Sequence, residues 1–494
     1  MSTLLIGLDI GTTSVKAGLF DATGRLLAVA AAPQPLHAPV PGWAEQDPAD
    51  WWAGSCQVLK RILEGIDVSR VGALGLSGQC PGHVLVDPNG QPLGPAIIWR
   101  DLRAQAEAAW IASRVSRKQA LEWLGTEPPT DAGAPPARLV WLARHRPAEW
   151  AAARTVLQPK DFIALCLTGE CATDRHSAYC LAHASTGAYA PDYFADLGLP
   201  VDKMPVVLEP TRVVGQVSQA AARATGLLEG TPLVCGTIDA YCDNLAGGLL
   251  LERRAVDVAG TSEILSLGTS GRVEAAGVFP AEVGGAPFLC GPTQAGGDTL
   301  RWLADGFYPE FGGRTDFARL EAEAAAIPPG SQGLVFLPYL SGERAPLWDA
   351  QARAAFYGLT MRHDRRHMTR AVYEGVAFAV RHILETAESA CGEKALELVV
   401  CGGGSQSQFW NQVKADVLGR PVHPTQVTQS GCLGAAILAA VGAGLQPDLR
   451  RACQTMILFQ APVAPHPELA EVYAHNYQVY LRLYPALKMV EPLP

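Results

Sequence analysis

No apolar run in the sequence is long enough to cross a membrane. The most apolar late stretch, Leu433 to Leu445, falls short of the roughly 18 residues a spanning helix needs. No export is expected either, because the opening MSTLLIGLD has no basic segment and reaches an acid at Asp9. Among 12 cysteines no two stand at the C-x-x-C spacing, which excludes the usual zinc knuckle or redox dithiol and predicts reduced thiols in a cytoplasmic chain. Basic residues are in deficit: 39 Lys and Arg against 48 Asp and Glu leave a formal charge of -9, a poor surface for gripping a polyanion. Neither nucleic acid nor a membrane is therefore an expected partner. With 48% hydrophobic and 18% charged residues the chain is neither disordered nor a coiled coil, and 494 residues suffice for two large folding units.

What is present is a repeated plan. LLIGLDI, a polar turn GTTS and VKAGLF form a β-hairpin pattern, and about half a chain later AVDVA, GTSE and ILSLG repeat it. Asp9 and Gly11-Thr12-Thr13 are echoed by Asp257 and Gly260-Thr261-Ser262. Further strand candidates (VGALGL, VLVDPNGQPL, AIIW, LELVVC) alternate with helical patterns, among them Ala371 to Ala390 with Val372, Val376, Val380 and Ile383 on one face. This predicts an α/β protein of two similar domains, 1–247 and 248–494, divided near Gly247-Gly248.

Each Gly-Thr turn places a glycine where backbone must turn or approach a ligand, followed by hydroxyls that donate to phosphate oxygens. One such turn is no more than a hairpin. Two of them, one per half, predict a clamp on a triphosphate. Asp9, at the end of its strand, suits a magnesium ion held through water better than a direct phosphate contact, since like charges repel. Gly268-Thr269-Ser270 looks similar locally but lacks the preceding acid-bearing strand. The cluster Gly402-Gly403-Gly404 follows a strand and precedes a helix, so adenine or ribose could lie against its bare backbone. It is neither a Walker loop nor a G-x-G-x-x-G turn. Asp239, where the strand LVCGTI gives way to a helix, reads either as an N-cap or as a general base that takes a proton from a substrate hydroxyl.

With these residues assembled, the sequence resembles the FGGY carbohydrate kinases of the actin, Hsp70 and hexokinase group. Ala354 to Glu374 fits the family's second signature throughout, whereas the first is looser around Pro136 to Trp141, with Arg138 where lysine is usual. The segments GWAEQDPADWW, GPAIIWRDLR, LQPKDFIALCLTGE and FLPYLSGERAP look most like xylulokinases. The resemblance implies two actin-like (ribonuclease H-like) ATPase domains around a central cleft, with ATP and Mg2+ as cofactors. It makes Asp239 the catalytic base and Asp9 the metal-associated acid. It places ATP on Gly11, Thr12, Thr13, Gly260, Thr261, Ser262 and Gly402 to Gly404, and a sugar near Trp43, Gln79, Cys80, Pro81, Asp101, Arg103 and Asp239. The implied reaction is phosphorylation of a ketopentose, D-xylulose first. Kinases of ribulose, ribitol or erythritol, and a non-catalytic nucleotide switch, are the alternatives, and a homodimer is left open. Relatives carry Gln-Met-His-Gly where this chain has Gln79-Cys80-Pro81-Gly82, and asparagine where it has Ala240, so the preferred sugar is expected to differ.

Overall fold

The computed structural model describes residues 3–128, 131–251 and 253–490. Its contacts separate two compact units, Met1–Cys242 with Gly431–Met456, and Asp243–Ser430 with Ile457–Pro494. The contiguous halves expected from the sequence therefore differ from the observed units, because a stretch of the second half is built into the first.

The first unit holds a six-stranded sheet made of β1 (Leu4–Ile10), β2 (Ser14–Asp21), β3 (Leu26–Pro33), β4 (Val71–Gly78), β5 (Val213–Gln216) and β6 (Pro232–Ile238), in the order β5-β6-β4-β1-β2-β3. β1 and β2 form the expected hairpin, with Asp9 opposite Lys16. β4 runs parallel to β1 and sets Ser77 beside Asp9. Every residue of β1 is buried, as a strand covered on both faces must be. One face packs against the helix Pro48–Ile62, which starts on the Asp47 cap with Pro48 in its first turn and contributes Trp51, Val58, Leu59 and Ile62 to the core. The other face meets the helix Ser430–Gly442 almost backbone to backbone. A Cβ on Gly7 would lie 1.8 Å from the Cys432 carbonyl oxygen, and one on Gly75 2.1 Å from that of Ala435.

The second unit repeats the arrangement with β7 (Arg254–Ala259), β8 (Glu263–Gly268), β9 (Phe279–Val283), β10 (Ala286–Pro292), β11 (Glu397–Cys401) and β12 (Val422–Pro424), in the order β9-β10-β8-β7-β11-β12. Again an antiparallel hairpin, β7 with β8, has a parallel neighbour, β11. The predicted helix is longer than its apolar stripe indicated, Arg365–Cys391, because Asp364 and His367 close a capping box at one end and Gly392 stops it in a left-handed conformation at the other. Val372, Val376, Val380 and Ile383 are buried as its spacing required. Among the described residues no helix is long and apolar enough to cross a membrane.

Candidate functional site

In the first unit the turn Gly11–Thr13 closes the β1–β2 hairpin, with the Gly11 amide donating to the Ser14 carbonyl at 3.1 Å. Asp9 lies just before it and is buried. Its Oδ1 accepts the Ser77 hydroxyl at 2.8 Å. Burial pushes the Asp9 carboxyl up from its ordinary value, against the opposing pull of Lys16 across the ladder and of the Ser77 hydrogen bond.

Thr12 and Gln79, assigned from the sequence to phosphate and sugar respectively, belong to one network. The Thr12 hydroxyl donates to Gln79 Oε1 at 3.1 Å and accepts the Trp99 indole N–H at 2.8 Å. Gln79 Nε2 donates to Gln46 Oε1 at 2.7 Å, and Gln46 Nε2 in turn donates to the Thr12 carbonyl at 2.7 Å. Gln46 and Trp99 were not among the predicted residues, although both lie in segments that carry the family resemblance. The Thr13 side chain is exposed, and its carbonyl accepts the Gln34 amide at 2.8 Å.

Asp101, Arg103 and Trp43 also meet, but they meet one another. Arg103 donates to Asp101 from Nε at 2.9 Å and from Nη2 at 2.7 Å, pairs with Glu45 at 2.8 Å, and lies 3.7 Å over the Trp43 ring. Asp101 also accepts the amides of Ala44 and Arg103. Both ionic side chains are buried, at 1% and 0% exposure, so their hydrogen-bonding capacity goes into holding the Trp43–Gln46 segment rather than facing outward. Arg138 explains its replacement of lysine in similar terms. Its fork donates to the carbonyls of Pro81 at 3.0 Å, Trp99 at 2.8 Å and Asp101 at 3.2 Å, which a single ammonium could not span.

Asp239 opens the helix Asp239–Ala246 directly after β6, and its Oδ1 accepts the Ala240 amide at 2.7 Å. Two residues earlier, the buried Thr237 hydroxyl donates to Asp174 Oδ2 at 2.8 Å. Asp174 is the centre of a buried cluster that sequence reasoning missed. It accepts Lys160 Nζ at 3.0 Å, the His176 amide at 3.0 Å and the Ser177 hydroxyl, while Lys160 also donates to Asp161 at 2.6 Å. Burial alone would raise Asp174, but Lys160, His176 and Ser177 outweigh it and hold the carboxyl well below the usual carboxylate range. Cys80, joined to Pro81 by a cis peptide bond, is close enough to be affected. Burial first, then the charges of Asp174, Asp239 and Asp161, push its thiol well above the ordinary value.

In the second unit the turn Gly260–Ser262 is anchored through its carbonyls. Those of Gly260 and Thr261 accept the amides of Gly297 at 2.9 Å and Gly296 at 2.9 Å, at the start of the helix Gly297–Phe307. Arg344 reaches Ser262 Oγ at 3.4 Å. Gly402 and Gly404 are required by the fold, the first by a φ of +80° and the second because a Cβ would fall 2.6 Å from that of Ala259. Gly403 is different. A Cβ there would meet nothing within 4 Å, so the chain itself does not need the bare backbone. Asp257, the counterpart of Asp9 in the sequence repeat, accepts Lys414 Nζ at 2.6 Å, and the same ammonium donates to Glu263 at 2.8 Å. That buried ion pair sets Asp257 apart from Asp9.

Models of the FGGY family of carbohydrate kinases match at residues 4–246 for the N-terminal domain and 255–443 for the C-terminal domain. The chain belongs to the FGGY family of carbohydrate kinases. Like other FGGY kinases it is an ATP-using enzyme built of two actin-like α/β domains. A xylulose kinase of Lactococcus lactis is 28% identical over 98% of this chain and 96% of its own length. An L-xylulose/3-keto-L-gulonate kinase of Escherichia coli is 31% identical, covering 99% and 98%. The crystal structure of a xylulose kinase from Rhodospirillum rubrum superposes with a TM-score of 0.86 at 32% identity over 98% of this chain and 99% of that one. Among the described residues no group of three or more His, Cys, Asp or Glu side chains forms a metal cage. A magnesium ion here would have to be held chiefly by phosphate and water, since hard cations of this size keep much of their hydration.

Proposed function

We propose that this FGGY kinase phosphorylates a ketopentose, converting D-xylulose to D-xylulose 5-phosphate, with Asp239 as general base. The observation that carries the reading is the place of Asp239: it stands at the end of β6, where strand gives way to helix, two residues after Thr237, whose hydroxyl donates to the buried Asp174. There its carboxylate takes the proton of the sugar hydroxyl as that oxygen bonds to the γ-phosphorus of ATP and the bond to the ADP oxygen breaks. The turns Gly11–Thr13 and Gly260–Ser262 bind phosphate groups, and Gly402–Gly404 receives the adenosine. Asp9 would hold magnesium through water, which would supply positive charge beside the phosphates. Gln79, Cys80 and Pro81 line the sugar, while Asp101, Arg103 and Trp43 support that wall from behind.

A second reading within the same chemistry is favoured by Cys80, Pro81 and Ala240, which stand where the relatives' pattern has polar groups. An acceptor such as L-xylulose, ribulose, ribitol or erythritol then replaces D-xylulose, in keeping with the kinase of Escherichia coli that is named for two sugars. An ADP-release assay across D- and L-pentuloses and pentitols decides between them. The first reading expects D-xylulose to have the highest kcat/KM, and a pentitol or another pentulose at the top overturns it in favour of the second.

A further inference from the structure

The turn Gln79–Gly82 carries one side chain with a strong hydrogen-bonding group, Gln79, and that amide is already bonded to Thr12 and Gln46. A further polar contact for the sugar near Asp239 can come from another element. The segment after Asp174 supplies a candidate. Gln158 joins this segment to the turn, accepting the Gly82 amide at 2.7 Å and donating to the Ser177 carbonyl at 3.1 Å. His176 brackets the corner on which Asp239 rides. Its Nδ1 lies 2.9 Å from the Thr237 hydroxyl, and its ring meets Tyr241 edge-on with centroids 4.5 Å apart.

The hydrogen bonds decide the tautomer. A carboxylate only accepts, so the Thr237 hydroxyl spends its hydrogen on Asp174 and must accept from His176. Nδ1 therefore carries a proton, with Asp174 Oδ2 a further 3.3 Å partner. In the neutral ring this leaves the lone pair on Nε2, which is buried and, among the described residues, has no hydrogen-bond partner. The side chain is only 9% exposed. A buried acceptor held in a fixed direction by its opposite nitrogen, and left unsatisfied, is costly in a resting enzyme and is repaid when a ligand donor arrives.

We infer that His176 is a specificity-determining contact of the acceptor sugar, its Nε2 accepting a hydrogen bond from one substrate hydroxyl in a ring orientation fixed by Thr237 and Asp174. This rests on the first unit being the acceptor site, as proposed above. It does not depend on which sugar is bound.

The test pairs His176→Asn, whose amide keeps a donor near Nδ1 but loses Nε2, with His176→Gln, whose longer amide reaches the Nε2 position. The substrate panel is first run on the unaltered enzyme, and its best substrate is then compared with each monodeoxy analogue. If that substrate is not D-xylulose, the first reading above fails, and the analogues of the actual substrate still test His176. The expected result is that loss of one particular hydroxyl lowers kcat/KM about tenfold or more in the unaltered enzyme. That ratio should shrink to within about threefold in His176→Asn, recover in part in His176→Gln, and leave the ratios for other hydroxyls unchanged. A uniform loss across parent and analogues, or unchanged discrimination, overturns the inference. Should His176→Asn fail to unfold cooperatively, nitrogen-15 NMR of the histidine-labelled unaltered enzyme decides. A shift of the Nε2 resonance on saturation with sugar supports the contact, and an unmoved resonance overturns it.

Discussion

Asp239 and Glu343 are two carboxylic acids in different settings. Asp239 is half-buried where β6 meets its helix, with Oδ1 accepting the Ala240 amide. Asp239→Asn should lower kcat by at least about a hundredfold while ATP affinity changes little. Turnover near the unaltered rate, measured by coupled ADP release, would show that the proton goes elsewhere. Glu343 is a structural acid. It is 4% exposed, and its Oε1 accepts the amides of Gln294 at 2.6 Å and Arg344 at 2.8 Å. Burial pushes it up to about 7 from an ordinary value of 4.5, against the pull of those amides and the Arg344 charge. Because the folded state holds this proton more tightly than the unfolded one, its contribution is full below about pH 4.5. It is lost as the pH rises through about 7, by at most about 3 kcal/mol. Glu343→Gln keeps the accepting oxygen, and its unfolding free energy, followed by urea titration from pH 4.5 to 8, should lack that decline.

At the scale of the element, the glycine turn after β11 separates glycines the fold needs from one it does not. Gly402 adopts a φ of +80°, and an added Cβ would come 2.8 Å from the Ala259 carbonyl oxygen. Gly402→Ala is expected to cost more than about 1 kcal/mol, visible as a Tm lowered by several degrees. At Gly403 a Cβ meets open space, so Gly403→Ala should leave the ligand-free Tm within about a degree and instead raise the KM for ATP severalfold. Equal effects of both substitutions on Tm, with KM unmoved, would remove adenosine from this turn.

For the whole molecule, the decisive feature is the return of residues Gly431–Met456 to the first unit. The helix Ser430–Gly442 covers one face of the first sheet at Gly7 and Gly75, and its own Gly434 would place a Cβ 2.1 Å from the Cys242 carbonyl oxygen. Without it, the apolar residues of β1 and β4 lose their cover on that side. A chain truncated after residue 247 should therefore show no cooperative thermal transition and should bind a hydrophobic dye, whereas the full chain melts cooperatively. A soluble, cooperatively melting 1–247 fragment would show that the helix is dispensable.

Local patterning was enough for the two hairpins with their glycine and hydroxyl turns, for the buried strand Glu397–Cys401 and for the helix carrying Val372 to Ile383, because each depends on residues a few positions apart. The position of Asp239 between a strand and a helix was legible for the same reason. Partners far apart in the chain were not. Thr12 meets Gln79 and Trp99, Thr237 meets Asp174, and Asp257 meets Lys414 only because strand register and helix packing bring them there. Asp101 and Arg103 are two positions apart, yet their mutual pairing was equally hidden, since it depends on the Trp43–Gln46 segment folding over them. The sequence by itself determined the kinds of element and the chemistry available at their ends. Tertiary structure alone decided which polar groups are used up inside the protein and which, like His176 Nε2, are left to be satisfied, because that balance is struck between side chains distant in sequence and adjacent in space.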